Sequence, residues 1–317
     1  MSKATTWFSR EEIRALTRAS DAQGWRAVLT DWGLISLAFA LAAAWPNVLT
    51  VGVALLVIGG RQLGLSILTH EAAHRTLFRT RWLNRVVGTW LCAGPVWLDV
   101  ERYRTEHLQH HAHTGGKGDP DLGLVAPYPT SRASLARKLA RDLVGITGAR
   151  RLAGLLAMDL GFLAYTLSPG THALPRVPWF VRLRQAVPRV LPVFGSNLAL
   201  FAVLAALGAP WLYLLWAGAY LTTYSAVLRI RAIAEHAVLP RSTDLLENTR
   251  STRASWLERL LVAPHHVNLH LEHHLLMTAP FWQLPAIRAR LEQAGALTER
   301  NTAPGYLAVL RLASCPP

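Results

Sequence analysis

The chain has 317 residues, 51% of them hydrophobic and only 16% charged, against the roughly one quarter charged that is usual for a soluble domain. A net charge of +14 would suit a nucleic-acid binder, but its distribution excludes that class: Arg61 is the only basic residue between Arg26 and Arg75, and none lies between Arg189 and Arg229. The charge flanks long apolar runs instead, as in the cytoplasmic loops of a multi-pass membrane protein.

In chain order, the polar start from Met1 to Arg26 lacks the pattern of a cleavable signal peptide. Residues 9–24 read as an amphipathic surface helix, with Ser9 and Glu12 at capping-box spacing and Ile13 and Leu16 on the apolar side. A first span over residues 31–45 meets a second over 48–68 across an uncharged turn at Pro46-Asn47. Arg61 inside the second span is expected to be buried against a partner, with Asp31 and Asp159 as candidate counter-charges. Val86–Leu98 and Leu152–Leu167 are short or interrupted and read as interfacial or partly buried helices. A second pair of spans, 190–207 and 211–228, is joined by Gly208-Ala209-Pro210. Two hairpins place both termini and the basic segments on one face, the cytoplasm. Residues 1–317 read as a single domain, all-α and integral to the membrane. Two cysteines, Cys92 and Cys315, give no disulfide framework and suit a reducing compartment.

Three tight groups hold most of the 13 histidines: His70 and His74 in HxxxH, then His107, His110 and His111 in HxxHH, then His270, His273 and His274 in HxxHH. A helix sets residues i, i+3 and i+4 on one face, so each group aims two or three imidazoles in one direction. Eight such ligands exceed what one ion needs, whereas two ions would use them. Imidazole suits iron, zinc, copper or nickel. His113, His172, His265 and His266 read as ordinary polar residues, although His266 shares a helical face with His270 and is a candidate extra ligand. His70-Glu71-Ala72-Ala73-His74 also matches HExxH, the zinc-protease signature in which the glutamate is general base. An intramembrane zinc protease needs only one further ligand and a water site, which leaves most of the clustered histidines without a role. A metal transporter would carry its ligands inside the spans rather than at their ends.

With these boxes the sequence resembles the membrane fatty-acid desaturase and hydroxylase superfamily, over residues 30–290. That superfamily places HxxxH, HxxHH and HxxHH around a membrane hairpin between the second and third boxes. Also similar are Gly118-Asp119-Pro120-Asp121, Ala234-Glu235-His236, and the run from Asn268 through His274 to Pro280. The resemblance implies four transmembrane helices as two hairpins carrying a cytosolic helical cap with a di-iron site. It implies nine ligands, the eight box histidines and His236, with two iron ions as cofactor and O2 as co-substrate. One departure is Ala232, where relatives often have asparagine, so the asparagine contact is missing and His266 or a water is left to take its place. Metal-bound imidazoles need neighbouring acceptors, for which Glu71, Glu106, Asp119, Asp121, Glu235 and Glu272 are the candidates. The expected reaction is desaturation of an acyl-lipid or lipid-like chain. Hydroxylation, ketolation and oxidative decarboxylation share the same framework. Electrons would come from a separate carrier such as ferredoxin or cytochrome b5, because the chain has no haem site, four-cysteine cluster or GxGxxG loop. Its basic segments suit either that acidic carrier or anionic lipid headgroups.

Overall fold

Two serines punctuate the N-terminal region of the computed structural model, which describes residues 4–168 and 170–315. The Ser9 hydroxyl receives the Glu12 N–H at 3.1 Å and the Glu12 carboxylate receives the Ser9 N–H at 2.7 Å, which starts α1 (Arg10–Leu16). The Ser20 hydroxyl, receiving the Gln23 N–H, then starts α2 (Asp21–Ala44). The single helix expected over 9–24 is therefore two elements, divided because a capping serine offers the backbone a non-helical partner.

Asn47 caps α3 (Val48–His74) by receiving the N–H groups of Leu49 and Thr50 at 3.0 and 3.1 Å. At 27 residues α3 is about 40 Å long, longer than a bilayer core of about 30 Å. Its first turns are largely open at the surface, whereas every residue from Ile58 to Ala73 is buried. This buried second half carries His70 and His74 into the protein interior. Arg75, in the left-handed region at φ 63°, ends the helix.

The Val86–Leu98 segment is helical but in pieces: α4 (Arg81–Val87), a π-helical stretch Gly88–Ala93 and a short turn Gly94–Val96. Wide π turns free carbonyls, which side chains recover: Trp32 donates to Leu91 O at 2.9 Å and Ser196 to Trp90 O at 2.8 Å. Next come α5 (Val100–His113), α6 (Leu122–Val125), α7 (Arg132–Leu143), α8 (Ile146–Asp159) and α9 (Trp179–Ala206). The stretch expected as an interfacial helix to Leu167 ends at Asp159.

Among the described residues α2, α3 and α9 are the helices long and apolar enough to cross a membrane. The expected fourth span, 211–228, is not one helix. It divides at Thr222 (φ −108°, ψ −87°) into α10 (Leu212–Leu221) and α11 (Thr223–His236). Hydroxyls cause the break by taking backbone carbonyls: Thr222 bonds Gly218 O at 2.6 Å, Thr223 bonds Leu55 O at 2.6 Å and Ser225 bonds Leu221 O at 3.0 Å. Arg151 of α8 donates to Tyr220 O at 3.0 Å and steadies the same turn.

The remaining elements are α12 (Leu245–Asn248), α13 (Trp256–Leu261), α14 (His270–Leu275), α15 (Leu284–Gln293) and α16 (Tyr306–Ala313). One parallel two-residue pairing, Ser251–Thr252 with Thr302–Ala303, ties the segment before α13 to the one before α16. Two apolar clusters form the core. One joins α2, α3, α10 and α11, while the other packs α4, α14 and α15 against the end of α3. The histidines lie between helices that both clusters hold in place.

Candidate metal centre

The nine histidines expected as ligands converge into two groups, each with its donor atoms within 4.8 Å of one another. His70, His74, His107, His111 and His273 form the first; His110, His236, His270 and His274 form the second. The adjacent pairs of both HxxHH motifs are split. On α5, His107 and His111 serve one group while His110 turns to the other; on α14, His270 and His274 serve one group while His273 turns away. Neighbouring residues on a helix point about 100° apart, so a doublet feeds two sites and an i, i+4 pair feeds one.

The donor chemistry fits metal ions. The Asp119 carboxylate receives His110 Nδ1 at 2.8 Å, and the Asn248 carbonyl receives His236 Nδ1 at 3.0 Å. Both partners are acceptors, so in these rings Nδ1 carries the hydrogen and Nε2 is a bare lone pair. Yet the Nε2 atoms face one another: His236 and His270 at 2.9 Å, His270 and His274 at 3.1 Å, His70 and His273 at 3.0 Å, and His111 and His273 at 3.0 Å. Each such pair needs either a hydrogen on one of its two rings or a cation between them, and one cation would serve several pairs at once. Nitrogens 2.0–2.1 Å from one ion at right angles lie about 3 Å apart. His74 Nε2 is buried with no hydrogen-bond partner, as a ligand awaiting an ion would be.

Electrostatics favours the neutral, ligating form. Burial holds His107, His111, His270, His273 and His274 well below the ordinary histidine range, with neighbouring rings adding to it. Burial takes His236 down to about 3. His110 is the exception. Burial pushes it down too, but Asp119 and Asp121 outweigh that and raise it. The His110 contact in turn overcomes burial to hold Asp119 below the carboxylate range. Metal ligation needs deprotonated imidazole, and a dry setting supplies it.

The candidate acids separate into three cases. Asp119, Glu71 and Glu235 stand behind rings. Glu71 Oε1 is 3.3 Å from His70 Nδ1 while its other oxygen receives Thr76 Oγ1 at 2.8 Å and the Phe281 N–H at 3.0 Å. Glu235 Oε1 is 3.3 Å from His270 Nδ1 and 2.5 Å from Arg231 Nε, and burial raises it to about 7 against the pull of Arg231. Asp121 is marginal, 3.7 Å from His110 Nδ1, and burial raises its pKa. Glu272 and Glu106 have their partners elsewhere. Glu272 turns away to Ser251 and to Arg288 at 3.3 Å, because residue 272 falls on the face of α14 opposite the rings. Glu106 is half-buried beside Thr166. His266 belongs to neither group and lies beside Arg259 and His265 instead, held to about 4 by burial. His113 and His172 are exposed.

Arg61 is buried and paired with Asp31 at 3.0 Å, while Asp159 pairs with Arg102 rather than Arg61. Asn248, Thr76 and Arg231 escaped the sequence reading. Only Arg231 carried a signal, its i, i+4 spacing to Glu235 one residue before His236.

A model described as fatty acid desaturase matches residues 43–302. A dihydrorhizobitoxine desaturase of Bradyrhizobium elkanii is 29% identical, over 91% of this chain and 81% of its own length. A beta-carotene ketolase of a Paracoccus strain is 27% identical, over 73% and 76%. An sn-1 oleoyl-lipid 12-desaturase of a Picosynechococcus strain is 22% identical, over 88% and 80%. The matched interval contains the three boxes and His236, whose rings meet in the two groups. The chain therefore belongs to the fatty acid desaturase family and is an oxidoreductase.

Proposed function

We propose that this chain is an O2-dependent di-iron desaturase that introduces a double bond into an acyl-lipid or lipid-like chain. The observation that carries the reading is the sorting of nine histidines, six buried and three partly buried, into a five-ring and a four-ring group. Two irons held there would supply the oxidising power that an unactivated C–H bond demands, with O2 as oxidant. Two hydrogens from the substrate, with two electrons and two protons from outside, balance the reduction of O2 to two waters. Asp119 and the Asn248 carbonyl, which accept from ring Nδ1 atoms, and Glu235 and Glu71, each 3.3 Å from one, would keep the rings turned with Nε2 free for the ions. The buried rings and the apolar cluster around α14 exclude water from the reacting region.

In this reading α10 and the first turns of α11 together make a fourth span through the break at Thr222. Both hairpins then open toward a cytosolic cap, with the termini and the active site on that side. An external carrier of the ferredoxin or cytochrome b5 type delivers the electrons. The zinc-protease alternative is disfavoured because Glu71 Oε2 is taken by Thr76 and the Phe281 N–H, and because most rings of the two groups would have no role in it. Ketolation is the second reading, favoured by the ketolase among the relatives. Expression with a redox partner, followed by mass spectrometry of the host's lipids, decides between them. A product lighter by two hydrogens supports desaturation, whereas gain of oxygen supports hydroxylation or ketolation. Purified protein with one zinc and no iron would refute the di-iron reading.

A further inference from the structure

A second polar cluster is buried apart from the histidine groups. Asp31 of α2, fully buried, receives Arg61 Nη1 of α3 at 3.0 Å and His265 Nε2 at 2.8 Å. The other amino group of Arg61 donates to the carbonyls of Arg259, at 3.3 Å, and Leu260 near the end of α13. The guanidinium is used as a fork, one side on a carboxylate and the other on backbone, which a lysine cannot reproduce. The surroundings are closed tightly around it. A Cβ on Gly64 would lie 2.5 Å from Asp31 Oδ2, and one on Gly60 would lie 2.9 Å from Leu261 Cα.

What the cluster holds is the approach to α14. His265 and His266 both have left-handed backbone, at φ 51° and 57°, which non-glycine residues adopt only when their surroundings impose it. The His265 ring packs edge-on against Phe281 with centroids 5.0 Å apart, and the Phe281 N–H is bonded to Glu71 behind His70. The same ring walls a cavity of about 10 Å³, room for one water, together with His70, His270 and His273. Four residues after His266, α14 begins at His270 and sends His273 to the five-ring group and His270 and His274 to the other. The placement of α14 against α3 therefore sets how the two groups face each other.

We infer that Asp31, Arg61 and His265 are positioning residues that lock α14 onto α3 and so set the spacing of the two histidine groups. The inference rests on the reading of those groups as an iron pair. A directional, buried ion pair is suited to the task because it specifies register, which apolar packing alone leaves looser.

The test uses full-length Arg61→Lys and His265→Asn in lipid nanodiscs. Asp31→Asn is set aside because it strands a buried arginine. Wild-type iron content and the spectrum of a coupled iron pair are measured first, and their absence refutes the metal reading before any variant is compared. In the metal-free variants, hydrogen exchange over residues 256–275 should quicken by about tenfold or more. Iron loading should stay near wild type while the spectrum of the pair changes. Exchange and spectrum both equal to wild type overturn the inference. Faster exchange with an unaltered spectrum makes the cluster a structural fastening only, which overturns it as well. If Arg61→Lys fails to fold, His265→Asn decides alone, since it leaves the Arg61–Asp31 pair in place.

Discussion

Replacing Asp119 by alanine removes the carboxylate that receives His110 Nδ1 at 2.8 Å, the Gly115 N–H at 3.0 Å and the Asp121 N–H at 2.9 Å. Loss of such a partner behind a metal-bound histidine weakens metal affinity roughly ten- to a hundredfold, or about 1.4–2.8 kcal/mol. Asp121, already 3.7 Å from the same nitrogen, is placed to compensate in part, so the lower half of that range is expected. His110 belongs to the four-ring group alone. The loss should fall on one iron of the two. Iron per chain, measured by elemental analysis across a chelator series, should fall in two steps, with the second ion held as in the wild type. Asp119→Asn should lie between, because its amide oxygen can still receive His110 while its amide nitrogen meets the Gly115 N–H donor to donor. Equal weakening of both ions, or of neither, would refute the assignment of Asp119 to one group.

His236→Ala should lower iron occupancy and remove activity as completely as His110→Ala, whereas His172→Ala, an exposed ring outside both groups, should do neither; full iron and normal turnover in His236→Ala would return the ninth place to His266. Glu71→Ala should slow turnover without abolishing it, since Glu71 orients His70 rather than acting as a protease base, and complete inactivation together with zinc in place of iron would reverse that conclusion. Arg61→Leu leaves Asp31 buried with His265 as its remaining side-chain partner, so it should destabilise the fold by about 3 kcal/mol, the lower end for a broken buried pair, read as lost expression or a lowered melting temperature.

The helical class and the membrane setting were legible because apolar runs and helical periodicity are properties of the chain itself. The boundaries were less so. The division of the N-terminal helix depends on the Ser20 hydroxyl receiving the Gln23 N–H, and the break at Thr222 on hydroxyls finding carbonyls, of which the one Thr223 takes, Leu55 O, lies on another helix. No sequence window contains such a contact. Arg61 shows the same limit. Its burial followed from the energetics of an arginine in a span, but the choice of Asp31 over Asp159 followed from the packing of α2 on α3.

By itself the sequence placed the eight box histidines for a common centre, because HxxxH and HxxHH set their rings on one helical face, while His236 was added by the resemblance to the desaturase superfamily. Only the tertiary structure decided how they divide. His110 and His111 are neighbours in the chain yet serve different groups, since their side chains diverge around α5 and three other helices close on opposite flanks. Tertiary packing also decided which acids stand behind the rings. Glu272 is flanked in sequence by two histidine neighbourhoods but faces Ser251 and Arg288, while Asn248, far from any box, offers the carbonyl that orients His236. A ligand's identity is carried by local pattern, but its partner is set by direction in space, and direction is fixed only when the helices pack.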